Sequence, residues 1–326
     1  MKIRYSNTGG YGQLQHALVP TVSLTAGARA DYNTRYGTTF NPRVGVVMNP
    51  VRGTTVKALF GTAYLAPSPY QAYSHYGSFY STDGGATYAS DYWHVGNPDL
   101  KPQHKTTWQG SISHALGQQW NVSGSVFRSR ITNVIKQYDT ENAGPGTYHG
   151  WPVAYIDASV NEGDETIRGA SVDLDFLKWW SVLRMSARAG VSMTDGRVWN
   201  DELPDGGVQI GAMAPLQSRV GVDLDWDDWT GSARVMAFGK QRLLALADTG
   251  GEPKRRTIDG FATLDLNLRR NRITRHIDLF VSLENALNAR YYHINERAYV
   301  SAAELVGVPQ NPRRLSVGLE VGFGTR

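Results

Sequence analysis

The residues with the most capacity for chemistry gather between positions 65 and 104. Tyr70, Tyr73, Tyr76, Phe79, Tyr80, Tyr88, Tyr92 and Trp93 lie there, with His75 and His94 among them. Aromatic side chains offer large, stiff contact area at low entropic cost, which suits capture of a planar or catecholate ligand. An imidazole in such a stretch can also ligate haem iron. More plainly, the rings of one long loop pack on one another. The remaining histidines, His16, His104, His114, His149, His276 and His293, are scattered, and no two have metal-ligand spacing on one face.

Catalytic patterns are absent. There is no Gly-x-Ser-x-Gly, no phosphate loop and no His-Glu-x-x-His. With 0 cysteines, disulfide frameworks, thiolate zinc sites and cysteine nucleophiles are excluded. Asp173/Asp175 and Asp223/Asp225 each share a face at i, i+2, but acid catalysis also needs a dry pocket to separate two carboxyl pKa values. Charges lining a wet lumen explain them more simply. The formal net charge of +4 is spread along the chain without a Lys/Arg block, which argues against nucleic acid. The sequence therefore predicts neither an enzyme nor a resident cofactor.

The elements that must carry the aromatic stretch show period-two alternation. In 21–32, Val22, Leu24, Ala26, Ala28, Ala30 and Tyr32 oppose Thr21, Ser23, Thr25, Gly27, Arg29 and Asp31. Leu183, Met185, Ala187, Ala189, Val191 and Met193 oppose Arg184, Ser186, Arg188 and Ser192. Val220, Val222, Leu224 and Trp226 oppose Asp223, Asp225 and Asp227, and Leu264, Leu266 and Leu268 oppose Asp265, Asn267 and Arg269. The last such segment sets Leu315, Val317, Leu319, Val321 and Phe323 against Ser316, Gly318, Glu320 and Gly322. Segments of about ten residues are long enough for a tilted strand to cross a bilayer, whereas soluble strands average nearer five or six. The mean hydropathy of −0.38 is compatible with this, since only alternate residues of a barrel strand meet lipid.

Connections supply a second criterion. Short turns are expected near 18–20, 49–53, 117–120, 177–181, 227–230 and 269–275. Long polar loops are expected at 33–41, 65–104, 139–165, 195–215, 240–259 and 285–312. Outer-membrane barrels have this asymmetry of tight periplasmic turns and long extracellular loops. Six hairpins and a closing strand make about thirteen strands, an odd number where bacterial single-chain barrels are even. That count predicts a barrel truncated at its N-terminus. The start, Met1-Lys2-Ile3-Arg4-Tyr5, has no apolar stretch of the kind a signal peptide needs. Trp120, Trp179, Trp180, Trp226 and Trp229 flank the expected short turns and are predicted to form a membrane-interface girdle.

Several stretches then resemble the barrel of TonB-dependent outer-membrane receptors. Asn41-Pro42-Arg43-Val44-Gly45-Val46-Val47 followed by Val56-Lys57-Ala58-Leu59-Phe60-Gly61 is similar to a mid-barrel hairpin of that family. Tyr64-Leu65-Ala66-Pro67-Ser68 resembles its aromatic-x-Ala-Pro-Ser element. Gly96-Asn97-Pro98-Asp99-Leu100-Lys101-Pro102-Gln103 resembles its Asn-Pro-x-Leu-x-Pro-Glu box, with Gln103 in place of Glu. Leu283-Glu284-Asn285-Ala286-Leu287-Asn288-Ala289-Arg290-Tyr291-Tyr292 and Pro312-Arg313-Arg314 resemble the closing segments, although Gly324-Thr325-Arg326 follows Phe323 where many such chains end on an aromatic residue.

The resemblance implies an all-β, antiparallel up-and-down transmembrane barrel. About thirteen C-terminal strands of about twenty-two would be present over 1–326, without a plug domain. It implies residence in the outer membrane and energy-coupled uptake of a scarce nutrient. A ferric siderophore, haem or a similar small ligand is expected, with the TonB complex and outer-membrane lipid as further partners. Tyr70, Tyr73, His75, Tyr76, Tyr80, Tyr88, Tyr92, Trp93 and His94 are the expected ligand-binding residues. In haem-uptake receptors an axial histidine lies between the Ala-Pro and Asn-Pro-x-Leu boxes, as His75 and His94 do. A passive porin-like channel and a soluble β-rich protein are the alternatives.

Overall fold

The computed structural model describes residues 4–81, 83–136, 146–199, 208–210, 213–245, 254–274, 276–294 and 307–322. Thirteen strands run as a continuous antiparallel meander in one sheet. They are β1 (Asn7–Val19), β2 (Val22–Asn33), β3 (Gly37–Met48), β4 (Thr54–Leu65), β5 (Gln103–Leu116), β6 (Trp120–Thr132), β7 (Asp164–Trp180), β8 (Leu183–Trp199), β9 (Leu216–Trp226), β10 (Trp229–Phe238), β11 (Phe261–Thr274), β12 (Ile277–Glu284) and β13 (Arg314–Val321). The two-residue strand Val208–Gln209 extends the ladder of β8. Among the described residues β1 pairs only with β2, and β13 only with β12.

Register gathers the alternation into two surfaces. One rung runs Val122, Leu174, Ala189, Val220, Val235, Leu264 across β6 to β11. The rung beside it runs Asn121, Asp175, Arg188, Gly221, Arg234, Asp265 across the same strands. A one-residue slip would exchange these faces throughout, so the pattern fixes the register wherever one face is apolar. On the polar face charges pair across strands: Arg188–Asp175 at 2.6 Å, Arg219–Asp173 at 2.8 Å, and Arg234–Asp223 and Arg184–Asp225 at 3.1 Å. A hollow of about 950 Å³ opens against them.

Among the described residues, nothing folds over the apolar face. Val126 is 59% exposed, Val172 60% and Val220 49%. A soluble sandwich would bury such a band against a second layer. The buried hydrophobics of the described residues, Ala72, Leu100, Val153, Ala214 and Ile258, all lie outside the thirteen strands. The wall therefore has no interior core. Its apolar side chains require a hydrocarbon surround, and between the outer edges of β1 and β13 its backbone groups are paired by interstrand bonds.

At the end of the sheet with short connections, the tryptophans divide by parity. Trp120, Trp180, Trp226 and Trp229 fall on the apolar face, where Trp180 opposes Leu183, Leu183 opposes Trp226 and Trp226 opposes Trp229. Lys178 reaches back over the Trp180 ring at 4.8 Å, and Arg270 over Trp229 at 5.2 Å. Trp179 is on the other face. It opposes Arg184, whose guanidinium sits 5.1 Å over its ring, so the residue expected in the girdle belongs to the polar side. Parity decides this: Trp179 shares its face with Asp173 and Asp175.

The connections differ from expectation at two places. The loop expected at 33–41 is a tight turn, because β2 continues to Asn33 and β3 begins at Gly37. The Asn33 Oδ1 accepts from the Arg35 amide at 2.8 Å, and Gly37 takes a φ of 81° that an L side chain resists. The β3–β4 ladder stops at Arg43, next to Pro42, which has no N–H to donate. The turn expected at 269–275 lies further on. β11 runs to Thr274 through an irregularity between Arg270 and Thr274, where Arg272 adopts a φ of 54°. Phe323 and the residues after it fall outside the described residues, as do parts of the expected loops at 139–165, 195–215, 240–259 and 285–312.

Candidate ligand-binding cap

Two long connections, between β4 and β5 and between β6 and β7, fold together above the wall. A helix, α1 (Pro69–Tyr73), starts the first. Ser68 caps it: its Oγ accepts from the Gln71 amide while the Gln71 side chain accepts from the Ser68 amide, with Pro69 at the first helical position. Strand Ser90–Val95 then pairs in parallel with strand Trp151–Ala158 of the second connection. Tyr76–Gly77 and Gly146–Tyr148 complete a four-stranded sheet. Gly96 is where α1 closes on this sheet. A Cβ there would stand 2.7 Å from the Ala72 carbonyl oxygen, so only glycine permits that approach.

Side-chain amides stitch the connections. The Asn97 Nδ2 donates to the Ser159 carbonyl at 3.0 Å, and the Asn161 Nδ2 donates to the carbonyls of Lys101 and Asn133, each at 2.9 Å. The Asn161 Oδ1 accepts from the Lys101 amide at 2.7 Å. Asn97 and Lys101 belong to the Asn-Pro-x-Leu-x-Pro-like box, whose Leu100 is 4% exposed. The box thus anchors the cap to the rim.

The expected ligand residues separate into distinct groups. In the first, His94 is 0% exposed and its Nδ1 meets the Asp157 Oδ1 at 2.6 Å. Its ring packs against both Tyr76 at 4.7 Å and Tyr70 at 6.1 Å, and those two rings lie 6.1 Å from each other. The Tyr70 and Tyr92 hydroxyls both donate to the Tyr76 hydroxyl, at 3.0 and 3.2 Å. His94 therefore pins the two connections together from inside. The second group lies on the other side of strand Ser90–Val95. Trp93 contacts Tyr148 with centroids 4.7 Å apart, Phe79 at 5.3 Å and His75 at 6.3 Å. His75 is exposed and its Nε2 bonds the Tyr148 hydroxyl.

Tyr88 and Tyr80 stand apart from both groups. Tyr88 meets Trp151 edge-on at 5.3 Å. Tyr80 donates to Asp91 at 3.0 Å, and that bond to a carboxylate raises the phenol above its ordinary pKa. Tyr73 leaves the cap face and packs under the Arg35 guanidinium at 5.4 Å. Below Tyr80, the Asp83 carboxylate accepts from the Thr87 hydroxyl and amide and from the Ser81 hydroxyl, which lower its pKa to about 2. Tyr148, Trp151 and Asp157 were not apparent from sequence. Alternating β-favouring residues, Trp151, Val153 and Tyr155, were the available signal.

Residues 1–286 match the family described as TonB dependent receptor-like, beta-barrel. The chain belongs to that family. This receptor-like barrel resembles the FrpB iron transporter from Neisseria meningitidis (F3-3 variant), with a TM-score of 0.68 and 17% identity over 97% of this chain and 45% of that one. It also resembles a variant of the ferric enterobactin receptor PfeA from Pseudomonas aeruginosa, with a TM-score of 0.72 and 17% identity over 98% and 45%. The ferripyoverdine receptor of the same organism, bound to ferripyoverdine, gives 0.68 and 15% over 97% and 38%. At these identities the likeness is one of fold, and the barrel spans less than half the length of each structure. Members of the family are outer-membrane proteins that transport and do not catalyse. The uncovered apolar face of the wall accords with that location.

Proposed function

We propose that the cap receives a ferric siderophore for energy-coupled uptake across the outer membrane, through a TonB-driven receptor of which this chain is the wall. The observation that carries this is a cluster of rings, the exposed His75 with the half-buried Phe79, Trp93 and Tyr148, on a small sheet locked from behind by His94 and Asp157. Rigid rings over a braced scaffold bind a planar catecholate complex with little ordering cost. The hydroxyls of Tyr70, Tyr76 and Tyr92 form a polar cluster on the opposite side of strand Ser90–Val95. FrpB, PfeA and the ferripyoverdine receptor, which share the fold, are named for iron or ferric siderophores, which supports this class of cargo. Haem is the second reading, and it narrows to His75, because His94 has no exposed surface.

Two titrations of the detergent-solubilised chain test this. A ferric catecholate siderophore is titrated against tryptophan fluorescence, with wild type compared to Trp93→Ala/Tyr148→Ala. Removing two aromatic anchors should cost about 2 kcal/mol, a roughly 30-fold weaker Kd. Equal affinity of the two proteins refutes the cap as the binding surface. A haemin titration of wild type and His75→Ala separates the second reading: an unchanged Soret band in both removes haem. A passive channel would instead conduct ions in a planar bilayer without any ligand and show no saturable siderophore binding.

A further inference from the structure

The outward face carries an electrostatic arrangement that transport does not require. Above the apolar rung Val126–Ala170–Met193, the next outward rung toward the cap reads Arg128–Arg168–Asp195. The one beyond reads Arg130–Thr166–Arg197. Arg128 and Arg168 are direct cross-strand partners, and like charges so placed destabilise a sheet unless an anion lies between them. Asp195 pairs with Arg168 at 2.9 Å and with Arg197 at 3.6 Å, and Asp164 pairs with Arg130 at 2.6 Å. Among the described residues, four guanidiniums stand here against two carboxylates. Among the described residues, no carboxylate pairs with Arg128.

Depth identifies the surrounding medium. Arg168 and Trp180 are on the same face of β7, about twelve residues apart. At roughly 3.4 Å per residue and a tilt near 40°, that is about 30 Å along the membrane normal, one hydrocarbon thickness. The tryptophans mark the short-turn interface, so the arginines mark the opposite one, beneath the cap. Exposed Val126 at 59% and Met193 at 61% continue directly below them toward the membrane centre, and Trp108, 60% exposed, stands beside Arg128 in its rung.

We propose that this rim of β6, β7 and β8 binds the phosphate of an anionic glycolipid of the outer leaflet, with its acyl chains lying on the apolar band below. Guanidinium forks recognise phosphate oxygens bidentately, and two from adjacent strands close on one phosphate. A free phosphate gains nothing from the band, whereas a lipid gains from both.

The test is native mass spectrometry of the whole chain in an uncharged detergent with added lipid A, either phosphorylated or enzymatically dephosphorylated. Wild type should retain the phosphorylated form at least about tenfold better. Arg128→Gln/Arg168→Gln should abolish the preference, and Arg128→Lys/Arg168→Lys, which keeps the charge without the forks, should keep only part of it. Arg128→Gln alone removes one partner of the like-charge pair without orphaning a carboxylate. It should melt no lower than wild type without lipid, and lose the lipid-induced rise in Tm. Equal retention of the two lipids, a preference that survives in both Gln variants, or displacement by millimolar inorganic phosphate would each overturn the proposal.

Discussion

Replacing Asp157 by alanine isolates the brace behind the cap. The His94 side chain is 0% exposed and Asp157 4%, with Nδ1 and Oδ1 at 2.6 Å, so the substitution removes a buried acceptor from a buried imidazole. Removing one member of a buried, hydrogen-bonded His–Asp pair costs about 3 kcal/mol. At 1.36 kcal/mol per decade, opening of the parallel pair 90–95/151–158 becomes roughly 150-fold more frequent. Hydrogen exchange reads this directly: the amides of 92–95 and 156–158 should speed up by about two decades. Those of β6 and β7, held by the wall ladder, should not change. Asp157→Asn keeps an acceptor of the same shape and should cost only about 1 kcal/mol, roughly fivefold in exchange. Acceleration below about threefold in Asp157→Ala, or an equal effect on β6 and β7, would refute the inference that this pair is what locks two connections into one cap.

Three further outcomes follow from the wall and the loop below Tyr80. Leu266→Arg, in the apolar band opposite Ala233 and Leu283, should lower stability in lipid by about 2–4 kcal/mol; Ser232→Arg on the polar face should be near neutral, both measured by urea titration of the lipid-embedded chain. In bilayers with brominated lipids, Trp180→Phe should reduce the quenchable fluorescence and Trp179→Phe should leave it unchanged, since the two rings face opposite sides. The Asp83 carboxyl, with a folded pKa of about 2 against an ordinary value near 4, stabilises the 81–87 turn at neutral pH. Because the folded pKa is depressed, that contribution is intact above pH 4 and disappears as pH falls through about 2. Exchange at Gly85 and Thr87, corrected for intrinsic rates, should rise over that window in wild type and be flat in Asp83→Asn.

The wall was legible because a single rule governs it. Alternate residues meet hydrocarbon, so thirteen strands and their short turns could be placed from period two, and 13 strands form the meander. Where the rule was not applied to each residue it failed: Trp179 and Trp180 are neighbours, and parity with Asp175 already separates them. Asn33-Thr-Arg-Tyr-Gly37 read as a loop because polar turn residues look alike whether a connection is three residues or nine.

The cap was legible only in composition, for a different physical reason. Its sheet is small and packed on both faces, so Tyr92, Trp93 and His94 are all partly or fully covered and leave no periodic trace. Its decisive contact joins residues 63 apart in the chain, His94 and Asp157, through a parallel pairing that no local pattern encodes. Composition identified an aromatic segment suited to planar ligands. Which rings face outward depends on which histidine is used as the internal brace. His94 takes that position, and His75 is left exposed on the other side of the strand beside the half-buried Phe79, Trp93 and Tyr148. Division of labour between two histidines of one loop thus determines both the rigidity of the cap and the face it presents.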